Sequence, residues 1–234
     1  MYRNDRSELH KGHRKRVKDK FIANGLEDFT DIQTLEAALF FCIPQGDTNE
    51  IAHRLINKFG SLSAVFDATD EQLLSVPGVG YNTYTFLKFM PELMRRYRMD
   101  KISDDNIFES QEKIARYLSA YFMTATSECA VVMCFDKKRR LLGTSSIPPE
   151  SVGAMSNARR IAELAITMKA DSIVLAHNHP SGICAPSNVD ISATNSLCAS
   201  LSAVGINLLE HYIIAGEEYL GLKDYIITYG YKND

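Results

Sequence analysis

The residues of this chain best suited to chemistry lie in one stretch, Ala176 to Asp190, which reads AHNHPSGICAPSNVD. His177 and His179 are two apart, a spacing that points both imidazoles to one face of an extended strand. The run Ser172-Ile173-Val174-Leu175-Ala176 just before them reads as a short buried strand, so the pair is expected at its C-terminal end. Pro180, Ser181 and Gly182 end that strand, and Pro186 precedes Ser187-Asn188-Val189-Asp190, the expected start of a helix. The loop between them can fold Asp190 back towards the imidazoles. Two neutral imidazoles and a carboxylate suit a borderline metal such as zinc, and three protein ligands leave the fourth tetrahedral place open for water, the mark of a catalytic site. Ser187 and Asp190 are at the same time a serviceable capping box for the helix they open.

The full pattern, H-x-H, seven residues, S-x-x-D, is filled at every place by His177, His179, Ser187 and Asp190. In this the chain resembles the JAMM motif of JAB/MPN-domain metalloproteases. HNHPSG together with the later Glu210-His211-Tyr212-Ile213-Ile214 is similar to the RadC family in particular, over nearly the whole chain. The resemblance implies His177, His179 and Asp190 as ligands of a single zinc ion, Ser187 as a hydrogen-bonding partner of the bound water or the oxyanion, and a separate Glu as general base. The implied reaction is hydrolysis of a peptide or isopeptide bond in a peptide or protein substrate. In JAB/MPN proteins that Glu lies where a strand begins after the first helix, the place Glu128 occupies here; Glu150, in the Pro-Pro-Glu loop, competes with it. The chain departs from the RadC pattern at Thr144-Ser145-Ser146, where proteins of that family often carry acidic residues. His211 reads either as a partner that orients a ligand or as a satisfied core histidine. Cys184, between His179 and Asp190, could approach the metal, although free cysteines are most often simply packed.

The elements that must position these residues follow from periodicity. Glu128 stands before the apolar run Cys129 to Phe135, a buried strand, and Lys137-Lys138-Arg139-Arg140 turns the chain into a second strand from Leu141 to Ile147. A helix from Glu112 to Phe122 precedes the pair, and another from Asn157 to Met168, capped by Ser156, delivers the chain to the histidine strand. Val189 to Ala203 reads as helix, stopped by Gly205; Ile206 to Ala215 and a short piece near Tyr225 to Thr228 complete the sheet. The expected fold is mixed α/β: residues 111–234 form a JAB/MPN-like mixed sheet flanked by helices, with the ligands at one sheet edge.

Residues 1–100 read as all-helical, with helices capped at Asp31 and at Thr48 or Asn49 and a stop at Gly60, and residues 101–110 as an acid-rich linker. Asp70 to Thr83 looks like a helix-hairpin-helix whose Pro77-Gly78-Val79-Gly80 turn could hold a DNA phosphate without reading sequence. The first twenty residues are basic, and either contact phosphates or form a solvated face; His10 and His13 within them are a weak metal signal. The alternative function is therefore a DNA-associated binding module, of the DNA-repair kind the RadC name suggests, with a structural or vestigial metal site.

Composition narrows the class. The 234 residues are 45% hydrophobic, enough for packed cores, and the net charge of −3 selects no partner. No apolar run approaches the roughly 20 residues of a membrane span, and the N-terminal stretch lacks a secretory h-region, so a cytoplasmic location is expected. Five cysteines without a C-x-x-C pair indicate neither a disulfide framework nor a four-cysteine zinc site.

Overall fold

The computed structural model describes residues 12–102, 110–147 and 154–229. The chain divides into two compact units, Met1–Leu93 and Met94–Asp234.

In the first unit, α1 (His13–Asn24), α2 (Asp31–Leu39), α3 (Thr48–Phe59), α4 (Leu62–Asp67) and α5 (Asp70–Leu74) lead into α6 (Tyr81–Ile102), within which the boundary falls. Thr30, not Asp31, caps α2: its hydroxyl accepts from the Gln33 N–H while the Gln33 side chain accepts from the Thr30 N–H. A capping box prevails over a lone carboxylate one residue later because it satisfies two orphan donors at once. Asp47, one residue ahead of Thr48, caps α3 with its carboxylate alone, which accepts from the Asn49 and Glu50 N–H groups. Leu35, Leu39, Leu55, Val65, Leu73 and Leu87 form the fully buried centre of this unit.

The hairpin between α5 and α6 turns at Gly78, whose φ of 93° is left-handed and whose absent Cβ would lie 2.9 Å from Ile51 Cγ1. Glycine is required there on both counts. Two cations near this hairpin are spent on backbone carbonyls: Arg54 donates to that of Pro77 in the turn at 2.9 Å, and Lys88 to that of Ala68, ahead of α5, at 2.5 Å. Part of the basic front is spent similarly. Arg14 donates to the carbonyls of Ile43, Pro44 and Gly46, and His13 pairs with the buried Glu36 at 3.0 Å. His10 lies outside the described residues.

The second unit is a five-stranded mixed sheet in the order β2-β1-β3-β4-β5. Its strands are β1 (Ala130–Phe135), β2 (Leu141–Ile147), β3 (Ser172–Asn178), β4 (Asn207–Ala215) and β5 (Glu218–Gly221). β1 and β2 form the antiparallel hairpin that the basic turn implies. β3 is central rather than at an edge: it is buried on both faces along its whole length, as its unbroken apolar run allows, and the histidines stand at its C-terminal end.

Alternation along the strands sorts the side chains into two cores. Val132, Cys134, Ile173 and Leu175 face α8 (Ala154–Thr167) and α9 (Asn188–Ser202), meeting Ile161, Ala165, Leu197 and Leu201. Val131, Met133, Val174 and Ala176 face α7 (Gln111–Phe122), meeting Tyr117, Leu118 and Phe122. α8 begins ahead of Ser156, which therefore lies inside the helix and does not cap it. The piece from Tyr225 to Thr228 belongs to a helix, α10 (Leu222–Tyr229), and the last strand is β5, returned from β4 by a turn at Gly216. Among the described residues no helix is long and apolar enough to cross a membrane.

Candidate metal centre

The centre is built at the end of β3. His177 continues the face of Ile173 and Leu175, and β1 pairs with β3 in a register that sets Ala130 opposite His177. One step further along the same antiparallel register, the Asn178 N–H donates to the Cys129 carbonyl at 3.2 Å. The Asn178 side chain extends the pairing: its Oδ1 accepts from the Cys129 N–H at 2.8 Å and its Nδ2 donates to the Ser127 carbonyl at 3.1 Å. This buried amide, wedged between the two histidines and pointing away from them, fixes the segment 127–129. Glu128 thereby arrives beside His179, and ligating atoms of Glu128, His177 and His179 all lie within 4.8 Å of one another.

Asp190 comes from the other side, on the first turn of α9. The two readings of Ser187 and Asp190 hold at once, because the carboxylate divides its oxygens between them. Oδ2 accepts from the Ser187 N–H at 2.8 Å and hydroxyl at 2.7 Å, completing a capping box in which the Ser187 hydroxyl accepts from the Asp190 N–H. Oδ1 faces inward, 3.4 Å from His177 Nε2. Asp190 is not part of the tighter set formed with Glu128 and His179. Ser187 is thus placed as the residue that orients Asp190. Cys184 turns its sulfur to the Ile213 carbonyl at 3.6 Å and is absent from the set, and Glu150 lies outside the described residues.

The tautomers of the histidines follow from the groups that anchor them. Thr194 Oγ1 lies 2.7 Å from the Asp190 carbonyl, which can only accept, so the hydroxyl donates there. Its partner at 2.6 Å, His211 Nδ1, must then carry a hydrogen and donate to the hydroxyl oxygen. A neutral His211 protonated on Nδ1 has a bare Nε2, which accepts from His177 Nδ1 at 2.9 Å. That leaves His177 Nε2 bare. On His179 the Ile183 carbonyl, 2.9 Å from Nδ1, fixes the hydrogen on that nitrogen and bares Nε2 in the same way. The two bare Nε2 atoms face each other at 3.0 Å.

Burial supports the neutral forms. It pushes His211 down to about 3, with the neighbouring His177 adding to the effect and Asp190 opposing it. His177 is lowered by burial and by His179, against the pull of Asp190 and Glu128. Burial would raise Asp190, but its bonds to Ser187 and the imidazoles of His177 and His211 outweigh this and hold it below the usual range. Two bare lone pairs that face each other, with the Glu128 carboxylate near both and Asp190 Oδ1 near that of His177, repel one another unless a cation sits among them. Ligand atoms around a tetrahedral zinc ion stand roughly 3.3 Å apart, given bonds of about 2.0–2.1 Å to nitrogen, so the 3.0 and 3.4 Å separations suit such an ion. The donor set fits a borderline divalent metal.

Sequence reasoning left His211 between two readings and missed Asn178 and Thr194. Asn178 was visible only as the residue between two histidines. Thr194 carried the weak signal of a hydroxyl one helical turn after Asp190.

Comparison with known proteins agrees with this architecture. The model of the RadC-like JAB domain matches residues 108–227. A UPF0758 protein of Fusobacterium nucleatum subsp. nucleatum is 33% identical over 91% of this chain and 95% of its own length. Another, of Pseudoalteromonas translucida, is 30% identical over 86% of this chain and 91% of its own. With its central strand ending in H-x-H, its S-x-x-D helix start and this match along its length, the chain belongs to the RadC-like JAB domain family.

Proposed function

We propose that the second unit is a zinc-dependent hydrolase of peptide or isopeptide bonds, in which His177, His179 and Asp190 hold the ion and Glu128 is the general base. The observation that carries this reading is the meeting of two bare imidazole nitrogens, 3.0 Å apart, beside two carboxylates. When bound, zinc supplies a Lewis acid that brings the pKa of water towards about 7 and polarises a carbonyl. His177 and His179 keep Nε2 free for a metal at neutral pH because each Nδ1–H is spent elsewhere, on His211 and on the Ile183 carbonyl. Asp190 presents Oδ1 because Ser187 holds Oδ2. Glu128 is exposed, so its carboxylate can take a proton from water and return it to the departing amine.

Metal content per chain tests the reading, measured on untagged protein prepared without chelator. About one zinc per chain in the wild type, as a three-ligand site holds, and almost none in His177→Ala/Asp190→Ala is the expected result. Absence of metal from both proteins would overturn it.

A second reading concerns the first unit. The left-handed Gly78 hairpin that opens the 22-residue α6 supports non-specific contact with a DNA phosphate. Its test is binding of a labelled duplex at 50 and 200 mM salt: phosphate contacts require a steep loss of affinity over that range, on the order of tenfold or more. No binding at the lower salt would remove this reading.

A further inference from the structure

Side chains along β4 change phase partway. Leu208 lies in the core shared with α8 and α9, and unbroken alternation from it would send His211, three positions on, to the α7 face. The reverse is found: Tyr212 and Ile214 lie in the α7 core, while His211 meets Thr194 of α9 and His177. The slip has a definite place. Across from β3, Ile173 pairs with Leu208 but Val174 with Glu210, so Leu209 is an extra residue without a partner, a β-bulge. Because one residue of slip exchanges the two faces of a strand, this bulge is what brings the His211 imidazole to the metal centre.

Bulges are rare in parallel pairs, and this one falls where β4 has little support on its outer side. β5 pairs with Tyr212 to Ala215, and among the described residues no strand flanks Leu208 to His211 there. Two side chains take that strand's place. The Lys223 ammonium, from the first turn of α10, donates to the carbonyl of Leu208 and, at 3.3 Å, to that of Leu209. Glu210, only 6% exposed, folds back so that its Oε1 accepts from the His211 N–H and the Lys223 N–H, each at 2.7 Å. Gly221 gives the carboxylate room, since a Cβ there would stand 3.1 Å from Glu210 Oε2. A buried carboxylate is costly unless it is hydrogen-bonded; this one is kept with both backbone donors in place.

We infer that Glu210 and Lys223 are positioning residues of the metal centre: they lock the bulge at Leu209, the bulge turns His211 to His177, and His211 holds His177 with Nε2 free for a metal. The inference deepens the zinc reading above and rests on it for the effect on metal affinity. Glu210 acts on the centre through the His211 N–H that it holds. Its influence on the metal should therefore disappear once residue 211 no longer carries an acceptor for His177. The same carboxylate also holds an N–H in the first turn of α10, so a loss of stability follows from either role and the test must read the histidines themselves.

The experiment is a double-mutant cycle on the full chain with two readouts. Zinc affinity is measured by chelator competition, and the His177–His211 hydrogen bond is read in the metal-free protein as nitrogen–nitrogen coupling in the NMR spectrum. Glu210→Ala should lower zinc affinity about tenfold, within the range for losing a group that orients a ligand, and abolish the coupling. In the His211→Phe background the same substitution should change zinc affinity by less than about twofold, because substitutions that act through one contact do not add. Glu210→Gln keeps an oxygen acceptor for the two N–H groups and should restore the coupling and most of the affinity. Lys223→Met strips the bulge carbonyls of their donor from a less buried position, and should repeat the His211-dependent loss even if Glu210→Ala fails to fold. An equal loss of zinc affinity in both backgrounds, or an intact coupling in folded Glu210→Ala and Lys223→Met, would overturn the inference. The two readings fail separately. A cycle that behaves as expected in a zinc-loaded protein that cleaves no peptide would sink the hydrolase and keep the positioning pair, whereas peptide cleavage alongside an additive cycle would sink the pair and keep the hydrolase. A wild type that bound no zinc would overturn the zinc reading, and the coupling alone would then decide whether the pair places His211.

Discussion

His211 Nε2 lies 2.9 Å from His177 Nδ1, two buried imidazoles 34 positions apart in the chain and brought together by the parallel pairing of β3 with β4. The contact closes a circuit: His177 donates to His211, His211 to Thr194, and Thr194 to the backbone carbonyl of Asp190, whose carboxylate then faces His177. Long-range proton–nitrogen NMR of the metal-free protein reads tautomers directly, and both His177 and His211 are expected as the Nδ1–H form. His211→Phe keeps the ring and removes the acceptor. It should lower zinc affinity about 10–100-fold in chelator competition, the usual effect of losing a group that orients a ligand, and destabilise the second unit by about 1–3 kcal/mol through the orphaned Nδ1–H. An Nε2–H signal from His211 in the wild type would refute the circuit.

Glu128 is close enough to the histidines to be either base or ligand, and one substitution separates the roles. Glu128→Gln is expected to keep metal content near the wild-type level and to reduce peptide hydrolysis by about 10²–10⁴, the share of a general base. Loss of the metal together with the activity would make Glu128 a ligand instead.

Acid should weaken the metal-free second unit well before ordinary carboxylates titrate. His211 in the folded chain is pushed down to about 3 from 6.5. Between those values the unfolded chain binds more protons than the folded one, so the stability contributed by the neutral imidazole is complete above about 6.5 and drains away as the pH falls towards 3. His177 is shifted in the same direction. Asp190, held below its ordinary value of 3.8, adds to the loss only as the pH passes below that value. Urea midpoints at pH 7.5 and 5.0 should therefore differ in the wild type and differ less in His211→Phe. An equal difference in both proteins would remove His211 from the account.

Gly78→Ala probes the first unit alone. The left-handed φ and the 2.9 Å approach to Ile51 both penalise a Cβ, and a loss of about 1–3 kcal/mol is expected, as for other residues forced into a sparsely populated backbone region. Zinc content should not change, since the metal-centre residues all belong to the second unit. A fall in zinc content would show that the metal centre depends on the first unit's integrity.

The parts of the site legible in the sequence were those whose spacing matches a local period. H-x-H after an apolar run marks a strand face, and S-x-x-D marks a helix start, so His177, His179, Ser187 and Asp190 could be named. Glu128 could be named only through the family resemblance, because its approach depends on the register between β1 and β3. Thr194 and His211 meet only once β4 has crossed over α9 to lie beside β3, and no local pattern encodes that. The C-terminal error has another cause. Tyr225-Ile226-Ile227-Thr228 is rich in residues that favour strands, yet the hairpin at Gly216 has already supplied the last strand, and the buried Leu222 opens the segment as a helix packed on the sheet.

The central place of β3 has a consequence for how the site could be emptied. His177 sits on a strand paired along both sides, and the His179 N–H is held by the Ile214 carbonyl. Backbone amides in such a strand exchange with solvent chiefly when the whole unit unfolds. An ion leaving this site would therefore depart past a rigid floor at His177, with the irregular segment 179–187 and the stretch before β1 as the parts able to yield, and a demetallated chain would retain the strand that carries the cradle.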